Sequence, residues 1–267
     1  LRIATIAAGL AVAVTATQGA ELRIGTASQG GAFYPVGQAI SSLVNKYADD
    51  LTMVPIVTAG SVENPRLVNN GEVDIAITNN NLSVLANKGV GPYAKSGAMN
   101  LRAIGSLHFS ILHMMTLDGS DINNIADLSY GDGFSQLADG NVDAAFALSG
   151  YPAGAVMQAQ ANKKLKYIPI TDEQLAEALA TYPNYNKVVV PKATYGTDQD
   201  GIVLGVNNML IVDAGMSDDV AFKITQAIYD HLDEFRAENA YAKQIIPEAS
   251  LELKIPLHPG AAKYFAK

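Results

Sequence analysis

Three short runs of small and polar residues hold the groups best placed for chemistry: Ser28-Gln29-Gly30-Gly31 ahead of Pro35, Ser61-Val62-Glu63-Asn64, and Ser149-Gly150-Tyr151-Pro152. Each follows a β-like run and leads into a helical one. Such a turn leaves several backbone N–H groups unpaired and aimed at one point, where the helix dipole adds partial positive charge. It therefore holds a carboxylate or phosphate without an arginine. Taken singly, each run reads equally well as an ordinary cap or turn; together they stand at the carboxyl ends of strands, where open α/β sheets bind ligands.

Catalytic and cofactor chemistry finds less support. Gly25, Gly30 and Gly31 miss the spacing of a dinucleotide fingerprint, and no phosphate-loop lysine follows. The four histidines are His108, His113, His231 and His258. His108 and His113, five apart in β-like sequence, are expected on opposite faces, which disfavours a shared metal. No serine sits in a nucleophile elbow, residues 118–124 lack the Gly and Glu of a calcium loop, and there is no cysteine. The expectation is a binding protein with no catalytic residues, no cofactor and no metal.

The elements that must position the turns follow from periodicity. Short β-like runs alternate with helical ones from Glu21 onward, which marks an α/β fold. Val36, Ala39, Ile40, Leu43, Val44 and Tyr47 predict a helix with Pro35 in its first turn. Ser61 is expected to cap a short helix through Asn69 that Gly71 stops, ahead of a strand ending in Thr78-Asn79-Asn80. Residues 101–107 and 111–117 read as strands that carry the chain between lobes. Thr171 and Gln174 form a capping box, and Ser217 is expected to start one long helix whose core face is Val220, Ile224, Ala227, Ile228, Leu232 and Phe235. Asn70-Gly71-Glu72-Val73-Asp74-Ile75-Ala76 returns as Asp139-Gly140-Asn141-Val142-Asp143-Ala144-Ala145, matching at Gly, Val, Asp and Ala. Two similar α/β lobes around a cleft are the simplest explanation. Residues 21–107 and 203–267 form the first, and 108–202 the second.

Composition narrows the partners. With 18 Lys+Arg against 26 Asp+Glu and a net charge of -8, the chain lacks the positive field that nucleic-acid binding needs. Its 49% hydrophobic content suffices for a packed core without disulfides. Residues 3–14 form an apolar stretch too short to span a bilayer and suited to a signal peptide, with cleavage expected after Ala16 or Ala20 and a periplasmic destination.

The strings GTASQGGAFYPVGQAISSLVNK (25–46), TAGSVENPRLVNNGEVDIAI (58–77) and PLHPGAAKYF (256–265) resemble the TAXI family of solute-binding receptors of TRAP transporters. The resemblance runs along nearly all of residues 21–267. It implies a monomeric, periplasmic, two-lobed protein of the type II binding-protein kind, which closes over a small carboxylate or amino acid. Glutamate, glutamine and 2-oxoglutarate are the ligands implied, delivered to a membrane permease driven by an ion gradient. By position, the implied first-lobe contacts are Ser28, Gln29, Gly30, Gly31, Phe33, Tyr34, Ser61, Val62 and Asn64. Thr78, Asn79 and Asn80 stand where family members often carry a different polar or aromatic set. Ser149, Gly150 and Tyr151 are expected across the cleft, brought in by a hinge. A carboxylate would take N–H bonds from the Gly30-Gly31 turn, the Ser28 hydroxyl and the helix start at Ser61, under Phe33 or Tyr34. A ligand-sensing protein that presents its solute to a signalling receptor would use the same fold.

The internal repeat also exposes a shortfall. Ahead of Val73 the first copy holds a strand, glycine turn, long helix, second strand and short helix; ahead of Val142 there is room only for the last of these. A strand-turn-helix-strand unit of about 40 residues is expected to be absent near Leu128 to Tyr130, with weak ligand affinity as its consequence.

Overall fold

The computed structural model describes residues 20–29, 31–121 and 134–267. Helix α1 (Phe33–Tyr47) forms because Val36, Ile40, Leu43 and Val44 recur on one face and are buried there. It joins strands β1 (Ala20–Gly25) and β2 (Leu51–Ile56), after which come α2 (Asn64–Asn69), β3 (Ile75–Asn79), α3 (Asn80–Lys88) and β4 (Leu101–Leu117). The chain continues through α4 (Phe134–Asp139), β5 (Ala144–Gly150), α5 (Gly154–Asn162), β6 (Leu165–Tyr167), α6 (Asp172–Thr181) and β7 (Asn186–Val190). It ends with β8 (Gly201–Asp213), α7 (Asp218–Tyr229), α8 (Leu232–Glu238) and α9 (Pro259–Phe265).

The strands make one sheet in the order β2-β1-β3-β8-β4-β5, with β6 on β4 and β7 on β8. Pairs β1–β2 and β1–β3 are parallel; the others are antiparallel. The expected strands at 101–107 and 111–117 are one strand, β4. Strands β4 and β8 run through both halves of the molecule: β3 pairs with β8 over Asn208 to Val212, and β7 pairs with it over Gly201 to Gly205. The register of β4 on β8 shifts twice, at Ala103/Gly105 and at Ser106/Phe109, the second where β8 leaves its pairing with β3. Such irregularities bend a strand pair, which suits a crossover between lobes. The cores separate accordingly. Leu22, Ile24, Ile40 and Ile77 cluster with Leu210 and Ile224, while Ile111, Met115, Leu137, Val156 and Val203 form another cluster.

The sequence repeat is a repeat of local structure. Gly71 (φ +70°) and Gly140 (φ +76°) both take the left-handed conformation that follows a helix end. In the first copy the N–H of Gly71 bonds the carbonyl of Val68 and that of Glu72 bonds Leu67; in the second, Gly140 bonds Leu137 and Asn141 bonds Gln136. This is the Schellman closure, which satisfies the last helical carbonyls and turns the chain into β3 or β5. The strands then differ in company. β3 lies between β1 and β8, whereas among the described residues β5 pairs only with β4. The expected break at Leu128 to Tyr130 lies outside the described residues. So does the expected apolar leader with Ala16, while Ala20 heads β1 and donates to the Asp50 carbonyl at 3.1 Å.

Several local expectations are corrected. Ser61 does not cap α2: the helix begins at Asn64, and the Gly60 carbonyl accepts from Glu63 and Asn64. Pro152 stands outside α5, whose N-cap is Ala153. The long helix from Ser217 breaks near Asp230 into α7 and α8, and the Ser217 side chain makes no cap bond. The Thr171–Gln174 capping box forms in full. At the C-terminus, α9 crosses α7 so closely that a Cβ on Gly260 would stand 2.1 Å from the Asp218 carbonyl oxygen and 2.9 Å from the Phe222 nitrogen. Backbone cannot yield as a side chain does. Gly260→Ala should therefore lower stability by about 1–3 kcal/mol, read as a fall in the urea midpoint. An unchanged midpoint would show that α9 shifts freely.

Candidate functional site

A cleft of about 200 Å³ opens where the loops after β1 and β2 meet the end of β3 and strands β4 and β5. Ala27, Gly31, Ala32 and Phe33 line it from the entry to α1, Ala59, Gly60 and Ser61 from the loop after β2, and Asn79 from the end of β3. Ser110 of β4 and Leu148, Ser149 and Gly150 of β5 form the opposite wall. Of the residues anticipated from sequence, Gly31, Phe33, Ser61, Asn79, Ser149 and Gly150 thus face one space, with both lobes contributing. None of these lining residues carries a charge. Across the top, the lobes touch: a Cβ on Gly150 would lie 2.6 Å from Cβ of Ala32.

The remaining anticipated residues lie elsewhere, each for a physical reason. Ser28 and Gln29 are exposed, Tyr34 is half-buried outside the lining, and Gly30 falls outside the described residues. The Gly31 N–H closes a turn onto the Ser28 carbonyl at 2.9 Å, so it is not the free donor expected of it. Val62 is exposed away from the lining. Asn64 is fully buried as a cross-link: its Nδ2 donates to the carbonyls of Thr26 (2.8 Å) and Ile77 (2.6 Å), and its Oδ1 accepts from Thr58 at 2.7 Å. Thr78 donates to the Ser61 carbonyl at 2.8 Å and fixes that loop from beneath. Asn80 accepts from the backbone of Lys254 at 3.2 Å, and the Tyr151 carbonyl accepts from Gln244 Nε2.

The floor of the cleft is a buried amide-hydroxyl network. Asn79 Nδ2 donates to Asn208 Oδ1 at 2.6 Å, and Asn208 Nδ2 donates to Ser110 Oγ at 3.0 Å. Sequence reasoning missed Ser110 and Asn208. The available signal was Asn207-Asn208 in the middle of the otherwise apolar β8, since a buried amide requires partners. Beside it, His113 bonds Tyr195 and Ser149, and burial pushes its pKa down to about 4. His108, also on β4, is fully buried with neither ring nitrogen partnered, and burial pushes it down to about 3. Phe33 stands edge-on to it at 5.8 Å, and Tyr241 lies 5.3 Å away. Among the described residues no group of His, Asp or Glu could hold a metal, and no helix is long and apolar enough to cross a membrane.

The sequence profile of the NMT1-like family matches this chain over residues 24–130 and again over 109–266. The chain belongs to the NMT1-like family. Solved structures agree with this family member's architecture. MatC from Rhodopseudomonas palustris with bound malate superposes with a TM-score of 0.54 at 12% identity, over 86% of this chain and 92% of that one. The periplasmic binding protein BugD gives a TM-score of 0.52 at 13% identity, over 92% and 97% of the two chains. At such identities the likeness is one of fold, and the fold is that of the type II periplasmic binding proteins.

Proposed function

We propose that this protein is the extracytoplasmic solute receptor of a TAXI-type TRAP transporter, capturing a small carboxylate or amino acid and delivering it to an ion-gradient-driven membrane permease. The observation that carries this reading is the convergence of Gly31, Phe33, Ser61 and Asn79 from one lobe with Ser149 and Gly150 from the other on one uncharged cleft. At about 200 Å³ the space falls below the range of drug-sized sites, which favours a metabolite of few heavy atoms. Hydroxyls, amides and backbone dipoles would hold its charge, as they do in sites that lack arginine. The malate bound by MatC, a protein of the same fold, supports the same ligand class.

One observation supports a second lobe shortened near Leu128 to Tyr130: among the described residues β5 has a neighbour on one side only. Weak affinity is then expected, since a cleft with one wall reduced excludes water poorly. Thermal unfolding in the presence of millimolar glutamate, glutamine, 2-oxoglutarate and malate tests the reading. A solute at 100 times its Kd raises stability by about 2.7 kcal/mol, a shift of several degrees. If none of the four moves the midpoint, and none does so after a family-derived segment is restored near residue 129, the receptor reading fails.

A further inference from the structure

Behind the second-lobe wall runs a hydrogen-bond chain that no step of solute capture has yet used. Ser149 faces the cleft from β5, and its Oγ lies 3.3 Å from Nδ1 of His113 on the neighbouring β4. The other ring nitrogen, Nε2, lies 2.8 Å from the Tyr195 hydroxyl. That hydroxyl in turn accepts the backbone N–H of Ala153, at 2.6 Å, just ahead of α5.

The protons in this chain are placed by elimination. Ala153 has only a proton to give, so the Tyr195 oxygen receives it and sends its own O–H to its other partner, His113 Nε2. An imidazole that accepts at Nε2 while neutral carries its proton on Nδ1. Ser149 cannot donate to a protonated nitrogen. Its own O–H is therefore left to point into the cleft. The ring is buried, with Phe134 edge-on at 6.3 Å, and burial keeps Tyr195 protonated as well, so the chain holds no net charge at neutral pH.

We propose that Ser149 is an obligate hydrogen-bond donor to the solute, fixed in that role by the Tyr195–His113 relay, so that the second lobe selects a solute presenting a carboxylate or carbonyl oxygen at this wall. This assignment rests on the solute-binding reading above for its ligand, whereas the tautomer of His113 is readable without one. His113 and Tyr195 are positioning residues, since neither lines the cleft.

Imidazole ¹⁵N spectra of the unmodified protein at neutral pH should show His113 as the Nδ1–H tautomer. Tyr195→Phe should mix the two tautomers, a change that lost packing alone would not cause. Titration with glutamate, malate and 2-oxoglutarate should show Ser149→Ala weakening binding about tenfold to a hundredfold, the worth of a bond to a charged acceptor, while Ser149→Thr keeps the donor and the affinity. An Nε2–H tautomer in the unmodified protein, or Ser149→Ala binding as tightly as it does, overturns the relay. If none of the three solutes binds the unmodified protein, nor the protein with a family-derived segment restored near residue 129, the receptor reading fails instead, and the tautomer still decides the relay.

Discussion

Gly150→Val should hold the lobes apart and weaken solute binding about tenfold to a hundredfold. A Cβ at this position would stand 2.6 Å from Ala32 Cβ, 3.0 Å from Tyr241 Cε1 and 3.1 Å from His108 Cδ2. The first of these contacts decides the outcome, because Ala32 has no side-chain torsion with which to retreat and sits at the N-cap of α1. Overpacking of this kind costs about 1–3 kcal/mol when it cannot be relieved, and a contact between lobes is relieved by opening them. The penalty should therefore fall on closure and leave each lobe folded. Small-angle scattering would show a larger radius of gyration with unchanged far-UV circular dichroism. Ala32→Gly should restore part of the lost affinity in the Gly150→Ala background, a coupling that only direct contact produces. A Gly150→Val protein with the parent's dimensions and affinity would mean that the two walls do not meet here.

The same contact explains why some of the site was legible in the sequence and some was not. Local chemistry was readable. Gly71 and Gly140 announce their helix ends because a left-handed residue there is a local requirement, and the repeat around them located β3, β5 and hence Asn79, Ser149 and Gly150. Thr171 with Gln174 is local in the same sense. Ser110 was invisible because its partner, Asn208, lies 98 residues away and their meeting depends on the register of β4 on β8. Asn64 was misjudged for a related reason. A polar residue beside a glycine turn looks like a ligand contact, yet its amide is spent on the carbonyls of Thr26 and Ile77, which no local pattern reveals. Ser61 reaches the cleft although it caps nothing, because the Gly60 carbonyl takes the amides that a serine cap would have served.

Acid should destabilise the protein well above the pH at which its carboxylates titrate, through His108 and His113. Both are buried and neutral, held at about 3 and about 4 against an unfolded value near 6.5. The native state therefore binds fewer protons than the unfolded chain at any pH between those values. Stability is complete above pH 6.5 and is lost as the pH falls through 6.5 toward 3 to 4, at up to about 1.4 kcal/mol per pH unit for each histidine. By pH 5 the loss is about 2 kcal/mol for each. No carboxylate offsets it: His108 faces Phe33, Tyr241 and Gly150, and His113 faces Phe134, Tyr195 and Ser149. Urea unfolding between pH 7.5 and 5 should give a slope approaching two protons, and His108→Met, which keeps an apolar filling without ring nitrogens, should reduce it by one. A slope unchanged by that substitution would mean that His108 gains a proton partner in the native state. Because Gly150 meets His108 from one lobe and Phe33 and Tyr241 meet it from the other, opening the cleft should return the ring toward its ordinary pKa. Closure then releases a proton below pH 6.5, and solute binding should weaken as the medium acidifies, in step with the fraction of open protein that carries a charged His108.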